Sequence, residues 1–96
     1  MELSVSDLVM STAGRDRGEL FYVIRTEGVY ALLANGKDRT MEHPKRKKLK
    51  HILRVEQIES EVARMLKSGD KVLNSQLRRD LAIARQTFRS QNQGGQ

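Results

Sequence analysis

The sequence predicts an α+β chain, a small closed or half-closed barrel of five short strands followed by two helices. Short apolar runs separated by glycine- and charge-rich breaks fill residues 8–53; such runs are too short for helices and rich in β-forming types. From residue 56 the apolar spacing changes to that of a helix face. Ninety-six residues without cysteine, 38% hydrophobic and 31% charged, make one domain with a small core of Leu, Val, Ile and Met, and neither two domains nor a disordered chain.

Leu8-Val9-Met10 is the first strand, and Gly14-Arg15-Asp16-Arg17-Gly18 is a turn in which two glycines bracket three charges. Leu20 to Ile24 forms the second strand, with Phe21 and Tyr22 on opposite faces. Val29 to Ala34 forms the third, after the Thr26-Glu27-Gly28 break. Asn35-Gly36 is the strongest short hairpin signal, because both central residues of the favoured turn take positive φ. The expected return strand starts at Lys37, sets Arg39 opposite Leu32 and Met41 opposite Tyr30, and ends at Pro44. Lys50 to Leu53 supplies a short fifth strand, and closure removes the exposed edges of so small a sheet. A helix over 56–67 places Ile58, Val62, Met65 and Leu66 on one face, with Gly69 as its stop. Asn74 is the expected N-cap of a second helix with Leu77, Leu81, Ala84 and Phe88 on one stripe. The organisation expected is therefore a barrel at 1–54, a helical pair at 55–90 and a disordered Gln/Asn/Gly-rich tail at 91–96.

Charge is the first functional clue. Residues 1–36 carry three basic against five acidic side chains, residues 37–54 eight against two, and residues 55–96 seven against five. The net +6 of the whole chain is thus matched by one 18-residue segment, which argues for a localised anionic partner.

Catalysis and cofactors are not expected. His43 and His51 stand eight apart across a proline and a cationic run, so no helix or simple strand brings both to one metal, and thiolate zinc modules and disulfides need the missing cysteine. Asp16, Asp38 and Glu42 each neighbour a basic residue or lie close to one, which favours their ionised form and works against a general acid. No serine lies in a nucleophile elbow, and the first turn has no phosphate-loop pattern. No apolar run approaches the roughly 20 residues of a membrane span, and the acidic, mixed start is unlike a secretory or transit peptide; a cytoplasmic chain, monomeric when free, is expected.

The segment from His43 to His51 packs Lys45, Arg46, Lys47, Lys48 and Lys50 into six positions, interrupted by Leu49, which is the expected anchor to the core. A solvated loop or localisation-type patch fits such a run. Phosphate contact fits it too, since each Lys or Arg that displaces a condensed counterion adds affinity without sequence preference. Arg15 and Arg17 alternate with Asp16, so both guanidiniums can project the same way, and Arg binds phosphate bidentately. Tyr30 is the candidate stacking aromatic, on one face with Lys37 and Arg39. On the second helix Arg78, Arg85 and Arg89 share a face that either extends the basic surface or is simply solvated.

Residues 8–24, with Gly14-Arg15-Asp16-Arg17-Gly18 at their centre, resemble the KOW motif of ribosomal and ribosome-associated proteins. The continuation Ala34-Asn35-Gly36-Lys37-Asp38-Arg39, then Pro44-Lys45-Arg46-Lys47-Lys48-Leu49-Lys50-His51-Ile52, is similar to bacterial KOW-domain RNA-binding proteins. The resemblance spans residues 7–53 and departs from the motif at Phe21 or Tyr22, where many members carry another glycine. It implies an SH3-like barrel that binds RNA, ribosomal RNA or the ribosome above all. The contacts it implies are Gly14, Arg15, Asp16, Arg17 and Gly18 in the loop and the basic run Lys45, Arg46, Lys47, Lys48 and Lys50; Lys37, Arg39 and His51 are further candidate contacts beside them. The rival expectation is a protein-interaction module built on the barrel and the helical pair.

Overall fold

The computed structural model describes residues 2–56 and 59–93, with side chains through Phe88. Five strands, β1 (Leu8–Ser11), β2 (Leu20–Glu27), β3 (Tyr30–Ala34), β4 (Lys45–Lys48) and β5 (Ile52–Arg54), precede helices α1 (Glu61–Ser68) and α2 (Asn74–Gln93). All pairings are antiparallel, in the order β4-β3-β2-β1-β5. β4 and β5 do not pair with each other, so the expected closure is not reached and the sheet keeps two edges.

The return strand is not where the hairpin signal places it. Asn35 Oδ1 accepts the backbone N–H groups of Lys37 and Arg39, while the N–H groups of Asn35 and Gly36 donate to the Arg39 carbonyl. The turn thereby closes on itself, and the chain rejoins the sheet only after Pro44, with Lys45 opposite Leu33 and Lys48 opposite Tyr30. The basic run is itself a strand. It lies at an edge, where charged side chains are tolerated.

Alternation along β1 and β2 sends side chains to two faces. Leu8, Leu20 and Tyr22, with Ala34, pack against Val62, Ala63, Leu66, Val72, Leu77 and Leu81 of the helical half; Val9, Phe21, Val23, Ala31, Leu33 and Ile52 form a second cluster that, among the described residues, contains none of α1 or α2. Phe21 and Tyr22 are both buried. Leu49 packs against the second cluster, the anchor expected of it.

α1 starts at Glu61, five residues later than its apolar period implies, because the Ser60 side chain caps it by accepting the Ala63 N–H at 3.1 Å. Ile58 lies outside the described residues. Gly69, at φ 81°, ends the helix as expected. At the start of α2 the cap is Leu73, not Asn74: Leu73 N–H donates to Gln76 Oε1 and its carbonyl accepts the Leu77 N–H. Asn74 instead holds the loop between β3 and β4, its side chain accepting from the Met41 N–H and donating to Glu42. α2 runs to Gln93, into the segment expected to be disordered, and residues 94–96 lie outside the description. No helix among the described residues is long and apolar enough to cross a membrane.

Helices and sheet are joined by polar contacts as well. The Tyr22 hydroxyl donates to Asp80 of α2 at 2.5 Å and lies 3.5 Å from the Ser60 hydroxyl. Burial and the neighbouring Asp80 carboxylate push the phenol well above its ordinary range.

Candidate nucleic-acid interface

Gly14 and Gly18 take φ of 87° and 88°, the left-handed region glycine enters without strain. Between them the chain folds tightly: Gly14 O accepts the Arg17 N–H, and Asp16 O accepts the Glu19 N–H. Arg15 and Arg17 are exposed while Asp16 turns inward. Asp16 Oδ1 accepts the Ser11 hydroxyl at 2.6 Å and the Lys47 ammonium at 2.8 Å, and the ammonium also donates to the Ala13 carbonyl. Burial works to raise the Asp16 pKa, but the Lys47 and Ser11 hydrogen bonds and the nearby lysine charges outweigh it, so its carboxyl titrates below the usual range. Asp16 Oδ2 is buried and has no hydrogen-bond partner among the described residues.

This pair fastens the glycine loop to β4 and removes Lys47 from solvent. Strand alternation divides the rest of the run. Lys45 and Lys47 share one face and Arg46 and Lys48 the other. The Arg46 guanidinium stacks 3.7 Å from the Tyr30 ring centroid and lies 3.7 Å from Glu27. Tyr30 is therefore set beside Arg46 and Lys48, and the pairing that placed it with Lys37 and Arg39 is replaced. Lys48 and Lys50 are exposed; His51 is half-buried in a short 3₁₀ turn and its carbonyl accepts the Thr12 N–H.

Three acids interleaved with these cations are held by the protein. Besides Asp16, Asp38 accepts from the Asn35 amide at 2.8 Å and Glu42 from the Asn74 amide at 2.8 Å. Each hydrogen bond is the main reason its carboxyl titrates below the usual range. Arg15, Arg17, Lys37, Arg39, Lys45, Lys48 and Lys50 make no ion pair among the described residues.

α2 is more than the margin of this surface that its arginine face suggests in the sequence. A cleft of about 740 Å³ opens between the glycine loop, the Asn35–Lys37 turn and α2, and brings Arg17 and Lys37 together with Arg78 and Arg85. Gly36 makes the approach possible: a Cβ there would lie 2.3 Å from the Asn74 carbonyl oxygen, and Arg78 donates to the Gly36 carbonyl at 2.6 Å. The signal was present in the sequence as a stripe at 78, 81, 85 and 88 that alternates Arg with Leu or Phe. The side chain of Arg89 lies outside the description. Among the described residues no group of three His, Asp or Glu side chains is placed to hold a metal ion. Compared with known protein families and with curated proteins, the chain finds no match.

Proposed function

We propose that this chain is a non-catalytic RNA-binding protein of the cytoplasm that docks on structured RNA, ribosomal RNA foremost, through the glycine loop and the neighbouring basic residues. The observation that carries the reading is the division of labour between charges: the carboxylates at 16, 38 and 42 are each engaged by a protein hydrogen bond, while seven cations around them make no ion pair among the described residues. Lys45 and Lys48 on β4 also guard an exposed sheet edge, but the other five have no such use, and a phosphate backbone neutralises the arrangement and releases counterions. The resemblance of residues 7–53 to KOW domains supports the same reading. An SH3-like barrel is supported by the strand order and by the second core cluster, to which neither helix contributes among the described residues.

The test is cosedimentation of the tagged protein with ribosomes on gradients at low and high salt, together with RNA titrations across salt. Seven phosphate contacts at about 0.7–0.9 each set a ceiling of roughly −5 to −6 on the slope of log affinity against log salt. A slope near zero, with no ribosome association at low salt, removes the reading.

A further inference from the structure

We propose that the cleft between the glycine loop and α2 takes a single unpaired nucleotide of the RNA, its phosphate among Arg17, Lys37, Arg78 and Arg85 and its base against Phe88. This deepens the RNA-binding reading and rests on it.

The walls carry four cations against one carboxylate, Glu19. Two cations come from the sheet side and two from α2, so an anion between them meets charge from both walls. Arg78 is already oriented by its hydrogen bond to the Gly36 carbonyl, and one such bond leaves most of its five donors available. Arg85 is exposed and makes no ion pair among the described residues. The close approach of Gly36 to α2 fixes the separation of the walls, because a Cβ at this glycine would meet the Asn74 carbonyl oxygen, Leu77 Cβ and Arg78 Cγ.

Phe88 selects the occupant. Residues 78, 81, 85 and 88 fall on one face of α2. Leu81 is buried in the core, but Phe88, half-buried, belongs to neither core cluster among the described residues. An aromatic ring beside guanidiniums in a cleft whose volume lies in the usual ligand range of about 300–1,000 Å³ offers a stacking surface next to a phosphate clamp. Paired bases inside a duplex cannot enter such a cleft, while a bulged or looped nucleotide brings an anion and a flat ring in one unit. The helical half is thereby part of the RNA reader and more than a support for the sheet.

The experiment compares, by fluorescence anisotropy with the full chain, a hairpin RNA carrying one bulged uridine and the same hairpin with the bulge deleted. Uridine monophosphate serves as the free-nucleotide arm. The expected result is roughly tenfold tighter binding of the bulged hairpin, in line with one stacked base, and weaker binding of the mononucleotide than of either RNA. Phe88→Ala should shrink the ratio of the two hairpin affinities to about one; Arg85→Gln, exposed and harmless to folding, should shrink it as well. A 4-thiouridine at the bulge should cross-link within the 78–88 stretch. Equal affinity for both hairpins overturns the nucleotide site while leaving RNA binding intact, as does a ratio unmoved by both substitutions. Tighter binding of the mononucleotide than of the bulged hairpin assigns the cleft to a free ligand and overturns it too. Failure to bind either RNA removes the underlying reading and the site with it.

Discussion

Removing Asp16 tests whether the glycine loop is held by its buried pair or merely lies beside the strand. In Asp16→Ala the Lys47 ammonium, on a side chain 9% exposed, loses its carboxylate and retains the Ala13 carbonyl, while Ser11 keeps that same carbonyl as an acceptor. Stripping one partner from a buried pair costs about 3–5 kcal/mol; the surviving carbonyl and the short path to water place this case lower, at about 2–4 kcal/mol. That is a large share of the roughly 5–15 kcal/mol expected of such a domain. Lys47→Met should cost a similar amount, and the double variant less than the sum, by about 1–2 kcal/mol of coupling. Urea unfolding at pH 7 reads all three. The pair also has a pH signature. The folded-state pKa of Asp16 is lowered, so its contribution is present above the unfolded value of about 3.9 and is lost as pH falls through the folded value. The parent should therefore weaken below about pH 4 more steeply than Asp16→Asn. If Asp16→Ala unfolds at the parent's urea midpoint, or the single costs add without coupling, the loop is not anchored as described.

Three further perturbations probe the rest of the molecule. Gly36→Ala should destabilise by about 2–4 kcal/mol in thermal or urea unfolding, since the new methyl meets the Asn74 carbonyl and the residue sits at φ 77°. Tyr22→Phe, which leaves Asp80 without the phenol hydrogen bond, should cost about 1–2 kcal/mol by the same measurement. In RNA titrations Lys48→Gln and Lys50→Gln should each flatten the salt slope by about 0.7–0.9, whereas Lys47→Met, measured where it is folded, should leave the slope unchanged; a Lys47 effect as large as that of Lys48 would return the ammonium to the RNA surface.

How much was legible in the sequence depended on whether a local signal competed with a distant one. The first three strands were legible because their apolar runs are bounded by glycines, and α2 because its period is long. Asn-Gly misled for a physical reason: the dipeptide announces a turn, yet here the Asn35 side chain supplies the hydrogen bonds that a returning strand would have supplied. β4 carries only Lys and Arg, which no propensity scan reads as strand; its place is set by the β3 edge and by Lys47 reaching Asp16 thirty-one residues away. The start of α1 was obscured because Glu56 and Ile58 continue the helical period, and the cap at Ser60 decides the boundary.

The same long-range contacts change the meaning of the helical half. Truncation after Val55 looks, from charge alone, like a change that spares binding, because most of the excess charge lies before that point. Yet six of the ten buried residues in the larger cluster, Val62, Ala63, Leu66, Val72, Leu77 and Leu81, lie beyond it. Their removal would bare Leu8, Leu20 and Tyr22 on one whole face of a sheet too small to fold on half a core. It would also delete the wall that holds Arg78 and Arg85. Charged side chains on β4 have an ordinary use in guarding an exposed edge against pairing, so their number alone says little about RNA. Two arginines lifted into a cleft opposite Arg17 and Lys37 have no such use, and this makes α2 the more informative half of the surface.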